Sequence, residues 1–263
     1  MPMLTKLINK DDSLSVENLV CQVGRELLRH KNDPEWKVII SLTGLKTVAD
    51  KKTNALMVSG LEAITPNIPV YSEEDLHLIS DRPTTYWLID PIDGTASWLG
   101  GYPGYVNQLA LIHKNQSIYG LIYHPPTRRL WSSGYDGRVR VNNSLFELRS
   151  KKSKIIKVID NYPEPKGLAK HIYSKLERAT YVECGSLGLK AILAITGEVD
   201  IFAKSTIFRD WDLAPAIAIS NCLNGSITSL TGDKLAIGNS IEFTDGLLVS
   251  SEKKVIDRVI KLL

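Results

Sequence analysis

Asp90-Pro91-Ile92-Asp93-Gly94-Thr95 puts two carboxylates, a backbone bend and a helix start into six residues. The residues before it, Tyr86-Trp87-Leu88-Ile89, read as a short buried strand, so Asp90 is expected at that strand's carboxyl end. Pro91 fixes one backbone dihedral, and Gly94 permits a sharp redirection that other residues resist. A helix starting near Thr95 would aim its unpaired first-turn N–H groups into the same pocket as the carboxylates. Two carboxylates about 5 Å apart repel by roughly 3 kcal/mol at an effective dielectric of about 20, so such a cluster calls for protons or cations. Oxygen-only ligands favour a hard ion, Mg²⁺ first, with Mn²⁺ or Ca²⁺ as competitors. An Asp in an isolated Pro/Gly turn is most simply a turn former, so the reading rests on what else the chain carries.

Two further places offer carboxylates. Pro69-Val70-Tyr71-Ser72 reads as a second short strand running into Glu73-Glu74-Asp75. Downstream, Arg209-Asp210-Trp211-Asp212 precedes the apolar run Leu213 to Ile219, and Pro215 confines the acids to the beginning of any helix there. Three carboxylate groups at strand ends and helix starts are thus expected to meet at one sheet edge. Each has a plainer reading. Glu73-Glu74-Asp75 also fits a solvated acidic turn, with Glu74 exposed; Asp210 and Asp212 compete for a helix cap; Thr47 and Asp50 fit a capping box; Lys190 fits a surface lysine.

Taken together, the motifs resemble the lithium-sensitive, Mg²⁺-dependent phosphomonoesterases of the inositol monophosphatase superfamily. The resemblance rests on Thr47-Val48-Ala49-Asp50, Ser72-Glu73-Glu74, Asp90 to Thr95, Gly185-Ser186 followed by Lys190, and Trp211-Asp212, in that order. It implies metal ligation by Glu73, Asp90, Asp93, Asp212 and the Ile92 carbonyl, with two or three Mg²⁺ ions and Mn²⁺ as a substitute. It also implies catalytic roles for Glu73, Thr95 and Asp50, the last two through a hydroxyl that orients the attacking water and its carboxylate partner. Substrate contacts would come from Asp93, Gly94, Thr95, Ala96, Gly185, Ser186, Lys190 and Asp212. Metal-activated water needs no covalent phosphoenzyme, so no catalytic His or nucleophilic Cys is expected. A haloacid-dehalogenase-type reading, which needs two acids two residues apart, is disfavoured because Asp90 and Asp93 are three apart.

Within the superfamily, Pro69 to Asp75 and Gly101 to Asn107 resemble the 3'(2'),5'-bisphosphate nucleotidase branch. The expected reaction is hydrolysis of 3'-phosphoadenosine 5'-phosphate to AMP and phosphate. An inositol monophosphatase or related sugar phosphatase is the alternative, and a non-catalytic nucleotide- or Mg²⁺-binding sensor the distant one. Ala96-Ser97-Trp98 and Lys46 depart from the usual pattern of that branch.

Along the chain, Ser15 reads as the cap of a helix with the stripe Val16, Leu19, Val20, Val23 and Leu27, and a second helix runs from about Val48 to Ile64. Strands follow at Val106 to Ile112, Ser117 to Tyr123, Leu130 to Ser133 and Arg138 to Val141, whose short connections favour antiparallel pairing. The second half alternates: strands at Ile155 to Ile159, Tyr181 to Glu183, Val199 to Phe202 and Gly246 to Val249, helices at Leu187 to Thr196, Leu213 to Cys222 and Glu252 to Leu263. This is a layered α/β pattern, and the resemblance implies a five-layer αβαβα sandwich. Two halves, 1–150 and 151–263, are expected to meet near Ser150 to Ser153, the second contributing Asp212.

With 263 residues and 43% of them hydrophobic, the chain can bury a substantial core. Its net charge of +3, with signs interspersed, does not indicate general nucleic-acid affinity. Cys21, Cys184 and Cys222 read as free thiols of a reducing compartment. With no apolar signal core and no membrane-length run, a cytoplasmic protein is expected, a monomer or homodimer acting on a small phosphorylated substrate.

Overall fold

The computed structural model describes residues 4–41, 45–75, 82–148, 154–238 and 241–263. A short helix α1 (Leu4–Leu7) precedes the long α2 (Lys10–Arg29). The start of α2 lies upstream of the expected Ser15: Asn9 accepts the N–H groups of Asp11 and Asp12, and Asp12 returns a carboxylate to the Asn9 N–H. That reciprocal cap lets an acidic, polar turn join the helix. A hairpin of β1 (Ile39–Ser41) and β2 (Lys46–Thr47) leads into α3 (Val48–Ile64), with the bounds its sequence suggested.

The first large sheet has seven strands: β3 (Val70–Ser72), β4 (Thr85–Asp93), β5 (Val106–His113), β6 (Gln116–His124), β7 (Arg129–Ser132), β8 (Arg140–Val141) and β9 (Ser144–Leu145), paired in that order. β3 runs parallel to β4, and every later pair is antiparallel, as short connections demand. Both faces are covered. Trp87, Ile89, Leu109 and Leu111 pack with Val16, Val20, Val23, Met57 and Leu61 of α2 and α3. The alternate residues Tyr86, Leu88, Ala110 and Ile112 join the opposite core. A sheet covered on both faces reads as continuous apolar runs, which is why these strands were legible.

The second sheet is built from β10 (Ile156–Asp160), β11 (Ala179–Glu183), β12 (Ile201–Lys204), β14 (Ser226–Thr228) and β16 (Leu247–Ser250), in the order β11-β10-β12-β16-β14. β10 is parallel to β11 and β12; the β16 pairings are antiparallel. A two-stranded piece joins β13 (Phe208–Arg209) to β15 (Glu242–Phe243). Helices α6 (Leu187–Ile195) and α7 (Asp210–Leu223) fill the space between the sheets, packing Ile192, Leu213 and Ile219 with Leu88 on one side and Phe202 and Val249 on the other. α5 (Gly167–Lys175) and α8 (Lys253–Ile260) cover the outer face through Ala169, Ile172, Ile256 and Val259. The layers are therefore αβαβα. α5 has no counterpart in the sequence reading, because only Ala169 and Ile172 of its nine residues are buried. The expected boundary at Ser150 to Ser153 falls on positions 150–153, which lie outside the described residues.

Candidate metal centre

The central feature is a β-bulge. On β4, Asp90 pairs with Gln108 and Asp93 with Val106, so three steps on one strand oppose two on the other. Three steps of regular strand would turn the two carboxylates to opposite faces, and the extra residue restores them to one. Pro91 fits the bulge because no ladder donor is needed there, and Asn107 Nδ2 donates to its carbonyl. Gly94 then takes φ +94° and opens a short helix, α4 (Thr95–Leu99). A Cβ at Gly94 would lie 2.6 Å from the Gly104 carbonyl oxygen, so both conformation and space require glycine.

Asp212 arrives from the first turn of α7. Asp90, Asp93 and Asp212 each offer a carboxylate oxygen, and these oxygens lie within 4.8 Å of one another. Each side chain is fixed by its surroundings. Asp93 accepts Ser186 Oγ at 2.6 Å, the Gly188 N–H at 2.5 Å and the Leu187 N–H at 3.2 Å, which ties it to the start of α6. Gly188 allows that approach: a Cβ there would lie 2.0 Å from Gln108 Oε1 and 3.1 Å from Asp93 Oδ2. Asp212 Oδ2 accepts the Arg209 N–H at 2.7 Å. Pro215 lies inside α7, which begins at Asp210, earlier than expected. Lacking an N–H, Pro215 leaves the Trp211 carbonyl without its intrahelical donor, and Gln108 Nε2 supplies one at 3.2 Å. The same amide reaches Asp90 Oδ2 at 3.4 Å.

Beside the triad, the Thr95 hydroxyl donates to Asp50 Oδ1 at 2.8 Å, and the Ile92 carbonyl lies 3.1 Å from it. Asp50 Oδ2 accepts both the N–H and the hydroxyl of Thr47, at 2.7 and 2.6 Å. Asp50 is therefore a capping acid and a partner of Thr95 at once. Glu73 follows β3 and lies against Asp90, outside the tight triad. Glu74, expected to be exposed, is 12% exposed and paired with Lys46 at 3.1 Å. The ion pair compensates its burial. Asp210, the rival of Asp212, is buried against Arg82, leaving Asp212 to the cluster.

Burial, then the neighbouring carboxylates Glu73, Asp93 and Asp212, push Asp90 well above the usual carboxyl range. Burial and then the Asp93 charge do the same to Asp212. Glu73 is raised to about 7, by burial first. Burial raises Asp93 too, opposed by Ser186, Gly188 and Leu187. Buried carboxyls crowded in this way favour protons or a bound cation to offset their repulsion. The donors are all oxygens, and Lys190, the buried lysine facing Asp93, is held back by Asn161 Oδ1 at 2.7 Å and Asp160 at 3.6 Å. The residues present fit a hard divalent ion.

The remaining expected residues are also close. Ser186 is buried and committed to Asp93, where the sequence reading set it against the leaving group; it also caps α6 by accepting the Leu189 N–H. A Cβ at Gly185 would strike Ser97 Oγ, beside Ala96. Lys190 is 4% exposed and is no surface lysine. Sequence reasoning missed Gln108, Arg82 and Lys204; Lys204 closes β12 on the face of Phe202 and acts on Asp212 and Lys190 through its charge. It also missed the stacked pair Tyr102–Tyr162, 4.8 Å between ring centroids. Tyr162 Oη lies against Gly104 and Gly185, so the pair rises beside the Gly94 turn. Apart from the exposed aromatic at Tyr102, none of these left a local signal.

Fold and site together are those of a metal-dependent phosphoric monoester hydrolase. The chain belongs to the inositol monophosphatase family, whose sequence profile matches residues 20–263. It is 28% identical over 193 residues to the 3'(2'),5'-bisphosphate nucleotidase CysQ of Buchnera aphidicola subsp. Acyrthosiphon pisum, covering 72% of each chain. It is 25% identical over 259 residues to the fructose-1,6-bisphosphatase/inositol-1-monophosphatase of Thermotoga maritima, covering 92% of this chain and 94% of that one. The solved structure of the extragenic suppressor protein suhB from Bartonella henselae superposes with a TM-score of 0.76 at 18% identity, over 95% and 98% of the two chains. No helix among the described residues is long and apolar enough to cross a membrane.

Proposed function

We propose that this phosphomonoesterase acts in the cytoplasm on a nucleoside 3'(2'),5'-bisphosphate, releasing the 3'(2')-phosphate and leaving the nucleoside 5'-phosphate. The observation that carries the hydrolytic part is the convergence of the Asp90, Asp93 and Asp212 oxygens within 4.8 Å beside the Thr95–Asp50 pair. Those three acids, Glu73 and the Ile92 carbonyl would hold Mg²⁺. When bound, such ions neutralise phosphoryl oxygens and activate water for in-line displacement.

The chain's own residues do the rest. The Thr95 hydroxyl spends its hydrogen on Asp50, so its lone pairs accept a hydrogen bond from the attacking water and aim it. Asp50 can do this because Thr47 holds its other oxygen twice. The N–H groups of Gly94, Thr95 and Ala96 at the left-handed turn receive the phosphate oxygens. Lys190 and Gly185 border the leaving group, and Ser186 holds Asp93 in place.

The nucleotide leaving group is supported by the likeness to the Buchnera nucleotidase and by the Tyr102–Tyr162 stack, since an aromatic wall favours a base over a cyclitol. The longer match to the Thermotoga enzyme favours a sugar or inositol phosphate as second reading. Phosphate release with Mg²⁺ from 3'-phosphoadenosine 5'-phosphate, inositol 1-phosphate and fructose 1,6-bisphosphate decides between them, with Asp93→Asn as background. Preference for the nucleotide supports the proposal; preference for a cyclitol or sugar phosphate overturns the substrate. Turnover no faster than the Asp93→Asn background overturns the catalytic reading.

A further inference from the structure

Lys46 closes the outer side of the acidic cluster. From β2, its Nζ donates to the Glu73 carbonyl at 3.0 Å and lies 3.1 Å from Glu74 Oε2. The two paired side chains are only 15% and 12% exposed, so the pair is poorly screened by solvent. Glu73 stands outside the group of oxygens that lie within 4.8 Å of one another. It lies against Asp90, and Lys46 is the strongest charge acting on it. The acids therefore divide into an inner set, Asp90, Asp93 and Asp212, whose oxygens meet, and an outer pair, Glu73 and Glu74, with Lys46 in direct contact with the Glu73 carbonyl and the Glu74 carboxylate.

We propose that Lys46 is a built-in cation of the metal centre, which takes on the outer side of Glu73 the electrostatic place of a further divalent ion. The inference rests on the metal-centre reading above. The ammonium group cannot leave, so it lowers the number of divalent ions the resting protein takes up and weakens their binding at Glu73. It also holds the turn that carries Glu73, through the carbonyl contact. These two effects have opposite signs when Lys46 is removed. Loss of an anchoring contact loosens a ligand and weakens metal binding. Loss of a positive charge at the edge of the cluster strengthens it, by about 10-fold for a divalent ion about 6 Å away even at the dielectric of water, and by more at a poorly screened site.

The test is a calorimetric titration of chelator-stripped full-length protein with Mn²⁺, comparing wild type with Lys46→Met, Lys46→Gln and Lys46→Arg, each checked for native circular dichroism. Electron spin resonance counts the bound ions. The expected result is that Lys46→Arg matches wild type, whereas Lys46→Met and Lys46→Gln bind one more Mn²⁺ and bind Mn²⁺ at least about 10-fold more tightly overall. Unchanged stoichiometry with equal or weaker affinity in a folded neutral variant overturns the inference and leaves Lys46 as a loop anchor. If wild type and all variants take up no Mn²⁺, the metal-centre reading itself fails, and the inference with it.

Discussion

In the metal-free protein, Asp90→Asn is expected to raise stability near neutral pH. Asp90 is 1% exposed and faces Glu73, Asp93 and Asp212. At separations within 4.8 Å and an effective dielectric of about 20, one pair of ionised carboxylates costs about 3 kcal/mol. Protonation relieves part of that repulsion at a linkage cost: holding Glu73 at about 7 against an ordinary 4.5 amounts to about 3 kcal/mol. A carboxyl raised in the native state binds its proton more tightly there than in the unfolded chain. Its contribution is therefore most favourable below the unfolded pKa and is lost as pH rises through the folded one, for Glu73 between about 4.5 and 7. Replacing Asp90 removes the most buried member of the set, for an expected gain of about 3 kcal/mol, or a Tm about 6–12 °C higher in a chain of this size. Thermal melts in chelator at pH 5 and pH 7.5 read this directly. Wild type should melt lower at pH 7.5 than at pH 5 and recover with Mg²⁺, whereas the variant should show a flatter pH dependence and little response to Mg²⁺. An Asp90→Asn protein that melts below wild type at pH 7.5 in chelator would refute the repulsion argument.

Two other substitutions separate chemistry from architecture. Thr95→Ala removes the hydroxyl that meets Asp50 at 2.8 Å but no carboxylate, so turnover should fall about 10²-fold while Mn²⁺ affinity by calorimetry stays within a few-fold. A large loss of Mn²⁺ affinity would make Thr95 part of the metal shell instead. Arg82→Met leaves buried Asp210 without its partner and should cost about 3–5 kcal/mol by urea denaturation, whereas Arg82→Met with Asp210→Leu should restore most of it. No loss in the single variant would show that the pair contributes nothing.

Much of the fold was legible because burial wrote itself into composition. The central strands β4, β5 and β6 of the seven-stranded sheet are covered on both faces and appear as largely apolar runs, and α3 carries its capping box in Thr47 and Asp50. α5 escaped because a helix that buries two side chains leaves no stripe. The true start of α2 escaped because Asn9 and Asp12 cap through each other, a pattern easily passed over in a run of polar residues. At the site, the acids were readable as residue types at strand ends and helix starts. What the sequence could not carry is how they are held: the bulge that turns Asp93 to the side of Asp90, the Ser186 hydroxyl brought across from the second half, and the Gln108 amide placed under Pro215. These are contacts between residues far apart in the chain. Nothing local marked Glu74 as half-buried, since its partner Lys46 lies on another element.

The central claim is that Asp90, Asp93 and Asp212 form a divalent-metal centre. Anomalous diffraction from crystals grown with Mn²⁺ tests it most directly. The account predicts an anomalous peak in contact with all three carboxylates and with the Ile92 carbonyl edge of the bulge, absent in Asp212→Asn crystals grown alongside. A well-ordered cluster with no anomalous density at saturating Mn²⁺, or density only at other surface acids, would contradict it.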